Sequence, residues 1–197
     1  YALGLEDGTP MQHWVKQGAV PTPDDDLSAD MYELATNVFE NAGYQQYEIS
    51  NWAKFGFACT HNLQYWRNLP YVGLGPGAHG YAGGLRYSVL RSPRRYIEAL
   101  QANKVSFTFP ETPVTENHIR VNHSAEIAET LMTGLRLVNE GVSRELFRQR
   151  FGCDVLEIYP DVLEKYQKYD VVSITDTHIY LTSRGRLLSN SLFRELV

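Results

Sequence analysis

The chain of 197 residues has only two cysteines, Cys59 and Cys153, far apart and in no CxxC spacing. That excludes a disulfide-stapled scaffold. It also excludes a set of three or four thiolates able to hold an iron–sulfur cluster, and the pair reads as reduced thiols. Charge of one sign is not concentrated: the formal net charge is −5 and no basic run stands out, so nothing advertises a nucleic-acid or anionic-membrane surface. No apolar run approaches the roughly 20 residues of a membrane span, and no signal peptide is visible, which predicts a cytoplasmic protein without an integral membrane segment. No nucleophile–base constellation is present. The glycine-rich stretch Gly73-Leu74-Gly75-Pro76-Gly77 is not a dinucleotide fingerprint either, because Gly80-Tyr81-Ala82-Gly83-Gly84 does not begin a helix.

What is present is an ordinary globular balance, 43% hydrophobic and 21% charged, with helices alternating with strands over the first half. Residues 1–5 read as a buried strand with nothing before it, which suggests part of a longer protein. A short helix through Trp14 and a proline-punctuated loop follow. Residues 27–42 then have helical spacing, with Asp26 or Ser28 as the cap and Gly43 as the stop. Residues 44–49 alternate as a strand, with Tyr47 and Ile49 on one face and Glu48 exposed on the other. Strands are expected over 71–74 and 83–90, and a helix over 93–102. Together this is the pattern of parallel α/β units.

Pro110 and Pro113 mark a boundary, giving domains 1–112 and 113–197. Beyond it, Ile127, Leu131, Leu135 and Leu137 trace a long helix ending near Gly141. Ser143 caps a second helix and Asp154 a third running through Tyr169. A hairpin turns at Asp176-Thr177 and Thr182 opens a last helix, a winged-helix-like layout. Such domains often read duplexes. This one carries 10 Lys and Arg against 12 Asp and Glu, too acidic to neutralise phosphates, so no nucleic-acid partner is expected.

The densest chemistry is His61-Asn62-Leu63-Gln64-Tyr65-Trp66, followed by the loop from Gly73 to His79. In a helix, His61 and Tyr65 share one face, placing an imidazole beside flat aromatic surfaces. Taken singly, His61 reads as a locally hydrogen-bonded histidine and Tyr65 and Trp66 as core aromatics. A zinc site from Cys59, His61 and His79 would lack ligands.

Four blocks agree in order and spacing with one family: Tyr1-Ala2-Leu3 to Pro10; Tyr47-Glu48-Ile49-Ser50-Asn51-Trp52-Ala53; the His61–Trp66 block; and Gly73 to His79. The tail adds Leu181-Thr182-Ser183-Arg184-Gly185-Arg186. The chain resembles the radical SAM family of oxygen-independent coproporphyrinogen III oxidases and their relatives, the HemW-type heme chaperones. The resemblance implies a fold that is α/β plus α: the last part of a partial (β/α) barrel and a C-terminal domain. It implies that the intact protein uses S-adenosylmethionine and a [4Fe-4S] cluster whose CxxxCxxC ligands this chain lacks. It implies that His61, Asn62, Tyr65 and Trp66 form the heme-binding motif of the chaperone branch, with His61 ligating the iron and the two aromatics packing on the porphyrin. Ala2, Gly77, Ala78 and His79 occupy strand-end positions that line the S-adenosylmethionine site. Heme or a porphyrin and a heme-recipient protein are the implied partners, and the exposed strand edge of a truncated barrel invites pairing with a second copy. The rivals are a true decarboxylating oxidase and, from a different class, a winged-helix module that docks a protein or nucleic acid. Phe55 and Gly80 depart from the family pattern, where proline and serine are usual.

Overall fold

The structure, a computed structural model, describes residues 4–102 and 106–196. Most of the expected strand over residues 1–5, with Ala2 in it, lies outside the described residues. By contacts the chain divides into two units, residues 1–58 and 59–197.

In the first unit, α1 (Pro10–Lys16) is capped by Thr9, whose hydroxyl accepts from the Gln12 N–H at 3.3 Å. Helix α2 (Asp25–Asn41) is capped by Asp24, two residues before the expected Asp26 and four before Ser28, and Asp24 accepts from the Leu27 N–H at 3.0 Å. Ser28 instead sits within the helix and donates its hydroxyl to the Asp24 carbonyl. The apolar stripe that betrayed α2 is uncovered: Met31, Leu34 and Val38 are each more than half exposed. Strands β1 (Gln45–Glu48) and β2 (Asn51–Ala53) form a tight antiparallel hairpin with a register shift between Gln46 and Glu48. This corrects the reading of Glu48, which is fully buried, as is Gln46 at 4% exposure. The Gln46 amide donates to the Ile49 carbonyl at 2.7 Å and the Asn51 amide donates to Glu48 Oε1, while Glu48 Oε2 is buried without a hydrogen-bond partner.

The second unit opens with α3 (Thr60–Trp66). The expected strand over 71–74 is reduced to one antiparallel bridge, Tyr71 to Tyr81. Then β3 (His79–Ala82), β4 (Leu85–Val89), α4 (Pro93–Gln101) and β5 (Thr115–Arg120) follow, with β3, β4 and β5 in one antiparallel sheet. Leu85, Tyr87 and Val89 alternate inward as expected. Strand β5 pairs with β4 across the proline-marked boundary.

Helix α5 (His123–Gly134) stops short of Gly141, and Leu135 and Leu137 are buried beyond its end. The remaining elements are β6 (Val142–Ser143), α6 (Arg144–Phe151), α7 (Val155–Ile158), α8 (Pro160–Lys168), β7 (Val172–Ile174), β8 (His178–Leu181) and α9 (Ser183–Phe193). Ser143, Asp154 and Thr182 cap α6, α7 and α9, as their sequence contexts require. The single helix expected from Asp154 to Tyr169 is two, because Pro160 has no N–H for the preceding turn. Strands β6, β8 and β7 form a second antiparallel sheet, in that order. Leu131, Leu135, Leu163, Ile179 and Leu192 are fully buried around it. Every strand pairing among the described residues is antiparallel, so the parallel units expected from helix–strand alternation are not among them. No described helix is long and apolar enough to cross a membrane.

Candidate functional site

Residues 60–66 carry neither glycine nor proline, and the four-residue spacing of His61 and Tyr65 puts both on one exposed face of α3. The Tyr65 hydroxyl lies 3.1 Å from His61 Nε2, and the rings meet edge to face with centroids 4.8 Å apart. Tyr71 also packs edge-on against Tyr65, with ring centroids 4.5 Å apart. Its place is set by the bridge to β3: the Tyr71 N–H donates to the Tyr81 carbonyl at 2.7 Å and the Tyr81 N–H returns the bond at 2.9 Å. Burial pushes the Tyr71 phenol above its usual range, against the opposing pull of Arg86.

Trp66 faces elsewhere. The Arg136 guanidinium lies 4.5 Å from its ring centroid, and its indole Nε1 is buried without a hydrogen-bond partner. One face of the expected porphyrin platform is therefore already covered by a cation.

The end of α3 is clamped by residues that sequence reasoning did not single out. Asn68 adopts φ +47° and is buried. Its amide donates to Thr130 Oγ1 at 3.0 Å, its Oδ1 accepts from Arg86 at 3.2 Å, and its carbonyl accepts from Arg150 at 3.0 Å. The adjacent Arg67 pairs with Glu140, Nε to Oε2 at 2.9 Å. Arg86 also pairs with Glu129 and stacks 4.6 Å from the Tyr81 ring centroid. Burial works to lower the Arg86 pKa, but the Glu129 hydrogen bond and charge outweigh it, and the net shift is upward. The one visible signal was Asn68 itself, an asparagine at a helix end, where left-handed backbone favours that residue.

The glycine loop needs its glycines for two different reasons. Gly75 and Gly77 have φ of +95° and +74°, yet a Cβ on either would meet nothing within 4 Å, so conformation demands them and the main chain stays open. Gly80 is forced by crowding: a Cβ there would lie 2.1 Å from Tyr87 Cζ. That explains the departure from serine, since the Tyr87 ring fills the space and its hydroxyl accepts from the Gly73 N–H at 3.1 Å. The Gly77 N–H donates to the Leu90 carbonyl at 3.0 Å, and Ala78 packs against the buried cluster of Tyr87, Val89, Leu90 and Val114. His79 is exposed at the start of β3, in register with Ser88. His79, Tyr71, Arg86, Ser88, Asn117 and His118 share the lining of one open depression of ≈ 250 Å³. The two blocks therefore meet: His61 touches Tyr65, Tyr65 touches Tyr71, and Tyr71 shares this depression with His79.

The residues present do not fit an iron–sulfur cluster. Cys59 and Cys153 are the only thiols and both are free. Among the described residues no three His, Cys, Asp or Glu side chains are placed to hold a metal ion.

The HemN C-terminal domain matches residues 121–188. The chain is similar to the coproporphyrinogen III oxidase HemN of Escherichia coli, described as a radical SAM enzyme. The TM-score is 0.64 at 13% identity, over 88% of this chain and 42% of that one, a likeness of fold. Over most of its length the chain is therefore similar to HemN and HemW proteins. Its sequence relatives are named more narrowly. The heme chaperone HemW of Bacillus subtilis is 33% identical over 98% of this chain and 48% of its own length. HemW of Lactococcus lactis is 30% identical over 100% and 49%. A mitochondrial radical S-adenosyl methionine domain-containing protein 1 of Mus musculus is 50% identical over 41% of this chain and 18% of its own length. The chain spans about half the length of the HemW relatives.

Proposed function

We propose that this chain is the C-terminal portion of a HemW-like heme chaperone and that α3 presents its heme-binding surface. The observation that carries this reading is the exposed, hydrogen-bonded His61–Tyr65 pair, braced by Tyr71 at the edge of the depression. It supplies iron-ligand chemistry and a flat aromatic rim at one place. Trp66 and Asn62 belong to the same motif. Trp66 holds α3 through its contact with Arg136, which leaves ligation to the exposed pair. Residues 1–112 correspond in this reading to the last part of the radical SAM barrel. Residues 113–197 are then a winged-helix-like domain, supported by the order of α5–α9 around the sheet β6–β8–β7. S-adenosylmethionine, when bound in the whole protein, supplies radical chemistry. Here the open main chain at Gly75 and Gly77, with His79 beside it, is suited to adenosine, while Ala78 supports the loop from within. The cluster would be ligated outside this chain. A heme-recipient protein, a homodimer contact and a cytoplasmic location complete the proposal.

Hemin titration followed by Soret absorbance tests it. A saturable Soret shift is expected for the chain, lost when His61→Ala and Tyr65→Phe are combined. Binding that never saturates, or that the double variant retains in full, overturns the heme reading.

A further inference from the structure

The relation of His61 to Tyr65 bears on which atom meets the iron, and the following rests on the heme reading above. The Tyr65 hydroxyl and His61 Nε2 are 3.1 Å apart. If the hydroxyl donates, the Nε2 lone pair accepts it. If Nε2 carries the proton, it has no lone pair and donates to the oxygen instead. In neither tautomer is Nε2 free, and in both the phenol oxygen keeps a lone pair. The other ring nitrogen, Nδ1, is bonded to the ring carbon that carries the side chain, so a porphyrin plane approaching it meets the residue's own methylene.

Tyr65 is also the better-held partner. Its ring meets two others edge to face, His61 at 4.8 Å and Tyr71 at 4.5 Å, yet the residue stays 36% exposed. Tyrosine oxygen is an established ligand type for ferric heme. A neighbouring hydrogen-bonded imidazole both orients such a ligand and tunes it.

We propose that Tyr65, rather than His61, ligates ferric heme, and that His61 is its positioning partner. From the tautomer with its proton on Nδ1, His61 Nε2 would take the Tyr65 hydroxyl proton as the oxygen binds iron, leaving an imidazolium beside the bound phenolate. This arrangement discriminates by oxidation state, because a hard phenolate oxygen suits ferric iron and binds ferrous iron poorly. The site would thus hold oxidised heme and release it on reduction.

The test uses the whole chain, loaded with hemin and read by absorption and electron paramagnetic resonance. Wild type is expected to give a high-spin ferric spectrum with a phenolate-to-iron charge-transfer band, and to lose heme on addition of dithionite. Tyr65→Phe, which keeps the ring against Tyr71, is expected to lose that band and bind about tenfold more weakly or worse. His61→Ala is expected to keep the band at reduced affinity. A Tyr65→Phe spectrum identical to wild type, together with a His61→Ala protein that has lost ligation, overturns the assignment while leaving the heme reading intact. Retention of heme after reduction also overturns it. Failure of wild type to bind hemin at all removes the heme reading itself.

Discussion

At the scale of single residues, the most telling position is Gly80. The family's usual serine would drive a Cβ to 2.1 Å from the Tyr87 ring. Gly80→Ser is therefore expected to destabilise the protein by about 2 kcal/mol, the usual cost of overpacking, seen as a lower melting temperature. An unchanged melting temperature would mean that Tyr87 swings aside freely. Asp154 is the second such position. Buried at 4% exposure, it accepts from Arg144 at 2.9 Å and Arg148 at 2.6 Å while capping α7. Burial alone would raise its pKa, but the two guanidiniums and the Leu156 N–H overcome that and hold it below the usual carboxylate range. A depressed folded pKa means that its stabilisation is fully present above the unfolded value and is lost as pH falls through the folded one. Asp154→Asn should cost about 3 kcal/mol near neutral pH. In urea melts the gap to wild type should close below about pH 4. A gap that widens on acidification would contradict the sign.

At the scale of elements, α3 is too short to be stable alone and is held by what packs on it. Arg136 over Trp66 and the Asn68 clamp do this, with Arg67–Glu140 as a surface addition. Trp66→Phe keeps the ring face under Arg136 and deletes a buried N–H that has no acceptor. It is expected to be neutral or stabilising by about 1 kcal/mol in thermal melts. A large loss would mean that the indole nitrogen has a partner in solution. Glu140→Gln, by contrast, removes a half-exposed ion pair and should cost less than about 1 kcal/mol, a difference that salt erases.

At the scale of the molecule, the fully buried Leu131, Leu163, Ile179 and Leu192 form the core around the second sheet. Leu131→Ala should cost about 3 kcal/mol in denaturant unfolding. In the first unit, α2 keeps an uncovered apolar stripe, with Leu34 at 64% exposure. The periodicity that predicted α2 was sound, because it records a helix with an apolar face whether or not a partner lies on it.

What the sequence determined by itself is local. Ser143, Asp154 and Thr182 are legible as caps because a cap bonds two or three residues ahead. The β4 alternation and the His61–Tyr65 pairing follow equally from strand and helix periods. The family blocks were legible for the same reason, as short runs with fixed spacing. What only the tertiary structure decided lies between residues distant in the chain. Arg136 covers Trp66, Thr130 and Arg86 hold Asn68, and Tyr87 occupies the volume over Gly80. Glu48 shows the limit most plainly: alternation alone puts a carboxylate outside, and it lies inside because the bulged hairpin turns it inward and Asn51 donates a hydrogen bond to it. Such outcomes depend on which surfaces meet, and a period of two or 3.6 residues carries no information about that.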